Sequence, residues 1–434
     1  MVHQPSYEPS DLAIQTLGPR EFLSPLPMST KQGDGIGSFT PDELRVLYEH
    51  RFLEGEPLNS LAFELAGARQ KLFFDPQKVK AAIVTCGGLC PGLNNVIRTI
   101  VFELLYNYGA KEVLGIRFGY RGLNPEVAHP PISLTCDTVD AIHHQGGTIL
   151  GTSRGHQDVK LTVNFLESEG INMLFCIGGD GTQRGAHAMA EEIKKRGLPI
   201  AIVNVPKTID NDIKFCHRTF GFYTAVAEAE QVIDRAHVEA KSVFNGVGLV
   251  KLMGREAGFI AAAATVASGE ANFCIVPEVP VDLKVFLNKL KKRLAAREHA
   301  VVVLAEGTGQ HWLEGSDQCD ASGNRKLGDS GSFLRQQINE FFAKEDMPVS
   351  VKYFDPSYYI RSLAATAVDS LLCERFARAA VHAAMAGKTD MFIGLWHDQL
   401  VHVPLELSTG MTKRLSPEGE LWISVQALTG QEKW

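Results

Sequence analysis

The sequence has no apolar run approaching the roughly 18 residues needed to cross a bilayer as a helix. Its opening stretch, MVHQPSYEPSDLAIQ, lacks the basic flank and apolar segment of a secretion signal. These absences argue against a membrane-spanning or exported chain, and the cytoplasm is the expected location. Cysteine is sparse, eight in 434 residues, and Cys176 and Cys274 sit inside apolar runs, so reduced core thiols are expected instead of a disulfide framework. Cys86 and Cys90 share a Gly/Pro turn but have no second pair at zinc-site spacing. A basic excess is also missing. Forty-three Lys and Arg against 50 Asp and Glu give a net charge of −7, which argues against a nucleic-acid binder. There is no fixed-period repeat. Two common phosphate signatures are absent as well. In the run ending 387-GKT-389, His382 stands where the first glycine of GxxxxGK[ST] belongs, and no GxGxxG follows the first apolar run.

What is present is the texture of a large α/β protein. A chain this long exceeds one comfortable core, so two domains are expected. From residue 79 onward, short apolar runs alternate with amphipathic segments. The runs are 80-KAAIVTC-86, 171-INMLFCI-177, 199-PIAIVNV-205, 246-GVGLVKL-252, 273-FCIVPEV-279 and 300-AVVVLAE-306. Nearly all-apolar runs of this length suit strands buried on both faces, and 93-LNNVIRTIVFELLYNY-108 carries one helical stripe. The alternation predicts parallel sheets with helices on both faces. Residues 1–78 read as an N-terminal extension, with a helix over 40-TPDELRVLYEHR-51 that Thr40 and Glu43 would open as a capping box. The Gly/Ser/Asp-rich stretch 307–331 reads as a long mobile insertion. The basic run 288-NKLKKRLAAREH-299 reads as a solvated helix face.

Polar, glycine-rich motifs end nearly every apolar run: 87-GGLCPGLNN-95, 178-GGDGT-182, 206-PKTIDND-212, 253-MGREAG-258 and 305-AEGTG-309, with 146-GGTILGTSRG-155 adding an arginine. In parallel sheets ligands bind beyond the carboxyl ends of the strands, where glycines let backbone N–H groups approach an anion. A carboxylate among those glycines is the wrong charge for a phosphate unless a divalent cation lies between them. Asp180 is therefore expected to hold Mg²⁺ bridging phosphates. An isolated TIDND would read as an Asx-rich turn. One strand after GGDGT, it reads instead as the acid needed when a phosphoryl group moves to a hydroxyl. Asp210 or Asp212 would be the base, with Arg154 and Arg255 as clamps. His143, His144 and His156 have no carboxylate at metal spacing and read as solvated or structural.

The series GG…PG.N, GGT.LG..R, GGDG, PKTIDND, MGR..G and a late IR resembles the 6-phosphofructokinase family over residues 79–434. GGDG alone also occurs in NAD kinases and diacylglycerol kinases, which lack PKTIDND. The resemblance implies two Rossmann-like domains plus the extension. Residues 79–223 and 360–410 would bind ATP, and residues 224–359 and 411–434 would bind fructose 6-phosphate. It implies that Gly88, Arg154, Gly155, Gly179, Asp180, Gly181 and Thr182 line the donor phosphates, with Mg²⁺ at Asp180. Asp210 becomes the base for the sugar's 1-hydroxyl, which Thr208 and Asp212 position beside Ile209, and Arg255 and Arg154 steady the moving phosphoryl. Met253, Gly254 and Glu306 would contact the sugar. Tyr358, Tyr359, Ile360 and Arg361 would hold the 6-phosphate with help from Lys352. An allosteric homo-oligomer, tetramer or dimer, is also implied.

The pattern departs from short bacterial members in two respects. Those members carry arginines where Gly246 and Lys352 stand here, and a glycine at the position of Lys207. A lysine there is typical of pyrophosphate users and of the long ATP-using branch of plants and protists. Pyrophosphate users resemble an Asp at position 181, which would collide with an α-phosphate, so Gly181 favours ATP. Two other readings remain at this point: a pyrophosphate-dependent enzyme, and a non-catalytic regulatory subunit, which should have lost the carboxylates that this chain retains.

Overall fold

A computed structural model describes residues 7–31, 33–55, 59–126, 129–313 and 326–431. The chain forms two compact units. One contains the chain up to Thr208 together with Ile213–Phe220 and Ala364–Met411; the other contains Ile209–Asp212, Gly221–Leu363 and the chain from Thr412 onward.

Among the described residues, the first unit is built on a nine-stranded sheet. Its centre is parallel: Glu112–Ile116, Lys80–Thr85, Met173–Gly178, Ala201–Pro206 and Met391–Trp396 lie side by side in that order. Met173–Gly178 and Ala201–Pro206 are buried along their whole length, as expected for strands covered on both faces. Helices Leu93–Phe102, Asp180–Arg196 and Ala367–Met385 follow the ends of these strands or pack against them. The apolar stripe of 93–108 is one continuous helix whose last part, Glu103–Tyr108, widens into a π-turn.

The sheet continues past Met391–Trp396 by an antiparallel hairpin strand, Gln399–Pro404, and then by two strands of the extension, Ala62–Leu65 and Arg45–Leu47. The helix expected over residues 40–51 is therefore not formed. Leu44 closes a turn on Pro41, and Arg45–Leu47 pairs with Ala62–Leu65 instead. The reason is tertiary. Arg69, only 2% exposed, is bonded by Asp42 at 2.9 Å and Glu64 at 2.8 Å, and meeting both requires residue 42 to lie beside the extension strand. Thr40 packs so closely on Gly67 that a β-carbon there would meet its Oγ1 at 2.1 Å. Local helix propensity is a weak prior against such pairing.

The second unit holds a four-stranded, all-parallel sheet in the order Phe273–Ile275, His299–Ala305, Gly246–Leu252, Ser350–Phe354. Its core is the contiguous apolar set from Val247, Leu249, Val302 and Leu304 to Phe286, Leu290, Leu334 and Phe342. Leu287, Leu290 and Leu294 turn one face of helix Leu283–Arg297 inward, while Lys284 and Lys292 are exposed and Lys291 pairs with Glu345 at 2.5 Å. Gly246 starts a strand where a β-carbon would lie 2.0 Å from the carbonyl oxygen of Ala240, so packing leaves no room there for an arginine. The centre of the expected 307–331 insertion, residues 314–325, lies outside the described residues. Its flanks run through the turn Gln310–Trp312 and into helix Ser330–Lys344.

Candidate active site

In the first unit, three neighbouring parallel strands deliver three loops to one sheet edge. After Lys80–Thr85 the chain turns at Gly87, with φ of 84°. The Gly87 N–H donates to the Ser153 carbonyl at 3.1 Å, and the Thr152 hydroxyl donates to the Gly87 carbonyl at 2.7 Å. These bonds hold Gly88 against the loop of Arg154 and Gly155. Lys207, at the end of Ala201–Pro206, is 6% exposed, and its ammonium donates to the Gly88 carbonyl at 2.8 Å. Its own N–H donates to the Gly178 carbonyl at 3.1 Å. Gly88, Arg154, Gly155, Gly179 to Thr182 and Lys207 are thus brought to one strand edge.

Helix Asp180–Arg196 opens this edge with Gly179 as its N-cap and no capping side chain. A helix start of this kind presents backbone N–H groups and a positive dipole end to an anion. The glycines there differ in kind. A β-carbon on Gly178 would overlap Thr182 at 2.1 Å, and one on Gly179 would meet the Lys207 carbonyl at 3.3 Å. On Gly181 it would meet nothing nearer than Arg184 Nη2, at 3.9 Å. The Asp180 carboxylate pairs with Arg184 one turn along the helix and accepts from the Gly410 N–H at 3.2 Å. Sequence reasoning did not pick out Arg184, although an Asp and an Arg four apart on one helix are the signal for such a pair. Gly410 had no signal, since only the fold brings it to Asp180. Cys86, at the same strand end, is buried, and burial pushes its thiol up to about 12, which disfavours the thiolate a nucleophile would need.

Thr208 belongs to the first unit; Ile209, Asp210 and Asp212 belong to the second. Asp210 and Asp212 are half-buried, and Asn211 between them adopts the left-handed conformation with φ of 55°. Ile209 is 5% exposed, so its side chain is a core group.

Two further loops meet at the carboxyl edge of the four-stranded sheet. Gly254 has φ of 137°, and its carbonyl accepts from the Gly307 N–H at 3.0 Å. A β-carbon on Gly307 would lie 1.8 Å from the Arg255 carbonyl oxygen, so this contact exists only because residue 307 is glycine. The Glu306 N–H donates to the Leu252 carbonyl at 2.9 Å. Burial raises the Glu306 carboxyl above its ordinary range, while the charges of Lys251, Arg255 and Arg361 pull it back. Met253, Gly254, Arg255, Glu306 and Arg361 therefore belong to one neighbourhood, with the Arg361 guanidinium over the Tyr358 ring at 4.7 Å. Tyr358 and Tyr359 are exposed; Ile360 is fully buried, so only its backbone could meet a ligand. Lys352 stands opposite Gly248, in the body of the sheet instead of at its carboxyl edge. Lys251, not singled out in the sequence, binds Asp355 at 2.8 Å and lies 3.6 Å from Asp329, which ties the start of helix Ser330–Lys344 to this edge.

Comparison with known proteins agrees with this architecture. The family described as phosphofructokinase matches residues 80–384. The ATP-dependent 6-phosphofructokinase of Borreliella burgdorferi is 44% identical over 433 residues, spanning 97% of each chain. That of Trypanosoma brucei brucei is 48% identical over 375 residues, 86% of this chain and 77% of its own. Among solved structures, the pyrophosphate-dependent phosphofructokinase of Marinobacter aquaeolei superposes with a TM-score of 0.67 at 20% identity, covering 82% of this chain and 92% of that one. The Pichia pastoris phosphofructokinase gives 0.63 at 23% identity, covering 82% and 37%. At those identities the structures speak for the fold alone.

Proposed function

The chain belongs to the phosphofructokinase family, and we propose that it works as an ATP-dependent 6-phosphofructokinase, moving the γ-phosphoryl group of ATP to the 1-hydroxyl of fructose 6-phosphate. The observation that carries the choice of donor is the room beside Gly181. No positive φ and no close neighbour requires glycine there. An aspartate would put a second carboxylate beside Asp180, where a nucleotide's α-phosphate would otherwise pass. Lys207 is compatible with either donor, since an ammonium held by the Gly88 carbonyl can face ATP or pyrophosphate.

The donor phosphates are read as lying along Gly88, Gly155 and the N-terminus of helix Asp180–Arg196, where backbone N–H groups need no reorganisation. Arg154 and Arg255 cover the moving phosphoryl. Asp210 takes the proton from the sugar's 1-hydroxyl as the oxygen attacks the γ-phosphorus; the bond to the β-phosphate oxygen breaks, and ADP leaves with that oxygen's negative charge. Thr208 and Asp212 orient the hydroxyl. Met253, Gly254 and Glu306 hold the sugar, and Tyr358 and Arg361 hold its 6-phosphate; Lys352, in the body of the sheet, is not placed to help.

Among the described residues no three His, Cys, Asp or Glu side chains cluster as a dedicated metal cage would require. Mg²⁺ needs no such cage, being commonly held by one or two carboxylates and completed by substrate phosphates and water. Asp180 would hold it in exchange for Arg184. When bound, it neutralises charge on the phosphates. The family likeness also supports a cytoplasmic homo-oligomer, dimer or tetramer, measurable by light scattering.

The test is a coupled assay of fructose 1,6-bisphosphate formation with MgATP and with Mg-pyrophosphate. Activity with ATP alone is expected. Activity with pyrophosphate alone would overturn the donor reading, and no activity with either would leave a regulatory subunit.

A further inference from the structure

Residues Lys413, Arg414 and Leu415 have no motif, yet each binds a different part of the second unit. The Lys413 N–H donates to the Asp212 carbonyl at 2.7 Å, and its ammonium donates to Asn211 Oδ1 at 3.1 Å. The Arg414 guanidinium meets Glu256 at 2.8 Å. The Leu415 N–H donates to Glu278 at 2.8 Å, and the same carboxylate accepts the Gly258 N–H at 3.0 Å, at the head of helix Phe259–Ser268. Three consecutive residues thus tie the acid loop to the loop that carries Arg255. The Lys413 ammonium also lies 5.2 Å from the Phe259 ring centre.

The acid loop needs such a tie. Asn211 sits at φ of 55° and is 7% exposed. Asparagine enters that region more readily than other non-glycine residues, so its side-chain partners decide whether it stays there. Asp210 and Asp212 flank it, so relaxation at Asn211 would rotate both carboxylates. We propose that Lys413 is a positioning residue for phosphoryl transfer: its side chain fixes Asn211 in the left-handed turn and thereby aims Asp210. This rests on Asp210 being the base and goes beyond it, since nothing in the motif series or the family resemblance points to residue 413.

The experiment measures steady-state kinetics and thermal melting on the full chain for Lys413→Met, Asn211→Ala, the double variant, Lys413→Arg and, as control, Asp210→Asn. The backbone bond to Asp212 survives in Lys413→Met, so the comparison isolates the ammonium. Misaiming a catalytic group by about 1 Å can cost on the order of 100-fold. Lys413→Met should therefore lose roughly 30-fold or more in kcat, with KM for ATP and for fructose 6-phosphate within about threefold and an unchanged melting temperature. Lys413→Arg, still a donor, should recover most of the loss, and the double variant should be no worse than the worse single one. An unchanged kcat, additive losses, a rise confined to the KM for fructose 6-phosphate, or a matching fall in melting temperature would each overturn the positioning role. Full activity in Asp210→Asn would instead overturn the base itself, whatever Lys413 does.

Discussion

Gly181 is a glycine that the protein's own packing does not demand. Gly178 cannot carry a side chain because Thr182 fills the space, and Gly246 cannot because of the Ala240 carbonyl, whereas Gly181 has room. Gly181→Asp should therefore fold with a melting temperature within about 2 °C of wild type, since surface changes that make no clash cost about 0.5 kcal/mol or less. Its kcat/KM for ATP should fall by about 100-fold or more, which corresponds to the few kcal/mol that close like charges cost in a partly buried site. Parallel melts and ATP kinetics check both halves. Gly178→Ala should do the opposite and destabilise the fold by about 1–3 kcal/mol through overpacking, read by denaturant titration. That GGDG and PKTIDND end neighbouring strands was legible, because glycine, carboxylate and lysine at strand ends have few structural uses. The distinction between a packing glycine and a ligand glycine was not legible, because it depends on what lies across the space.

At the scale of elements, the buried runs were legible and the half-covered ones were not. The runs at 171, 199, 246 and 300 became Met173–Gly178, Ala201–Pro206, Gly246–Leu252 and His299–Ala305. Ser350–Phe354 escaped because it is an edge strand with no fully buried residue. The hairpin of Met391–Trp396 and Gln399–Pro404 escaped because His397 and Asp398, at φ of 47° and 62°, make its two-residue turn without the Asn-Gly or Asp-Gly that usually announces one. That hairpin carries His402 opposite Glu64, which also binds Lys388 at 2.6 Å and Arg69 at 2.8 Å. Burial opposes the Glu64 charge, but the His402 hydrogen bond and Lys388 outweigh it and hold the carboxyl well below its usual range. Removing one member strands the others, so Glu64→Gln should cost about 3 kcal/mol in a denaturant melt. The acid response has a definite sign. Burial pushes His402 down to about 4 and His382 down to about 3, so the unfolded chain takes up protons from about pH 6.5 that the folded chain refuses. Stability should be full above pH 6.5 and decline as pH falls through 4, with Glu64 adding to the loss below about 4.5. Urea midpoints at a series of pH values would show it, and a flat profile would count against it.

At the scale of the whole molecule, the alternation of runs and helices made two α/β units legible, because each parallel sheet must bury both faces. The crossing points of the chain were less so, since Thr208 and Ile209 are neighbours in one motif yet belong to different units. The loops proposed to hold the donor lie in one unit, and Met253–Arg255, Glu306 and Arg361 lie in the other. Binding should therefore separate by ligand: in calorimetry Gly181→Asp should weaken ATP and keep fructose 6-phosphate, and Glu306→Gln should do the reverse. Joint loss in either variant would argue against that division. The extension has a practical bearing on where the chain can be cut. A fragment trimmed to residues 80–384, the span matched by the family, would discard Met391–Trp396 and leave the hydrogen-bonding edge of Ala201–Pro206 open. Cutting only the first 78 residues would unmask Gln399–Pro404 in the same way, because Ala62–Leu65 now pairs with it. Either fragment would carry an unguarded strand able to recruit another copy, so the smallest piece that stays dispersed must keep both the extension and the hairpin.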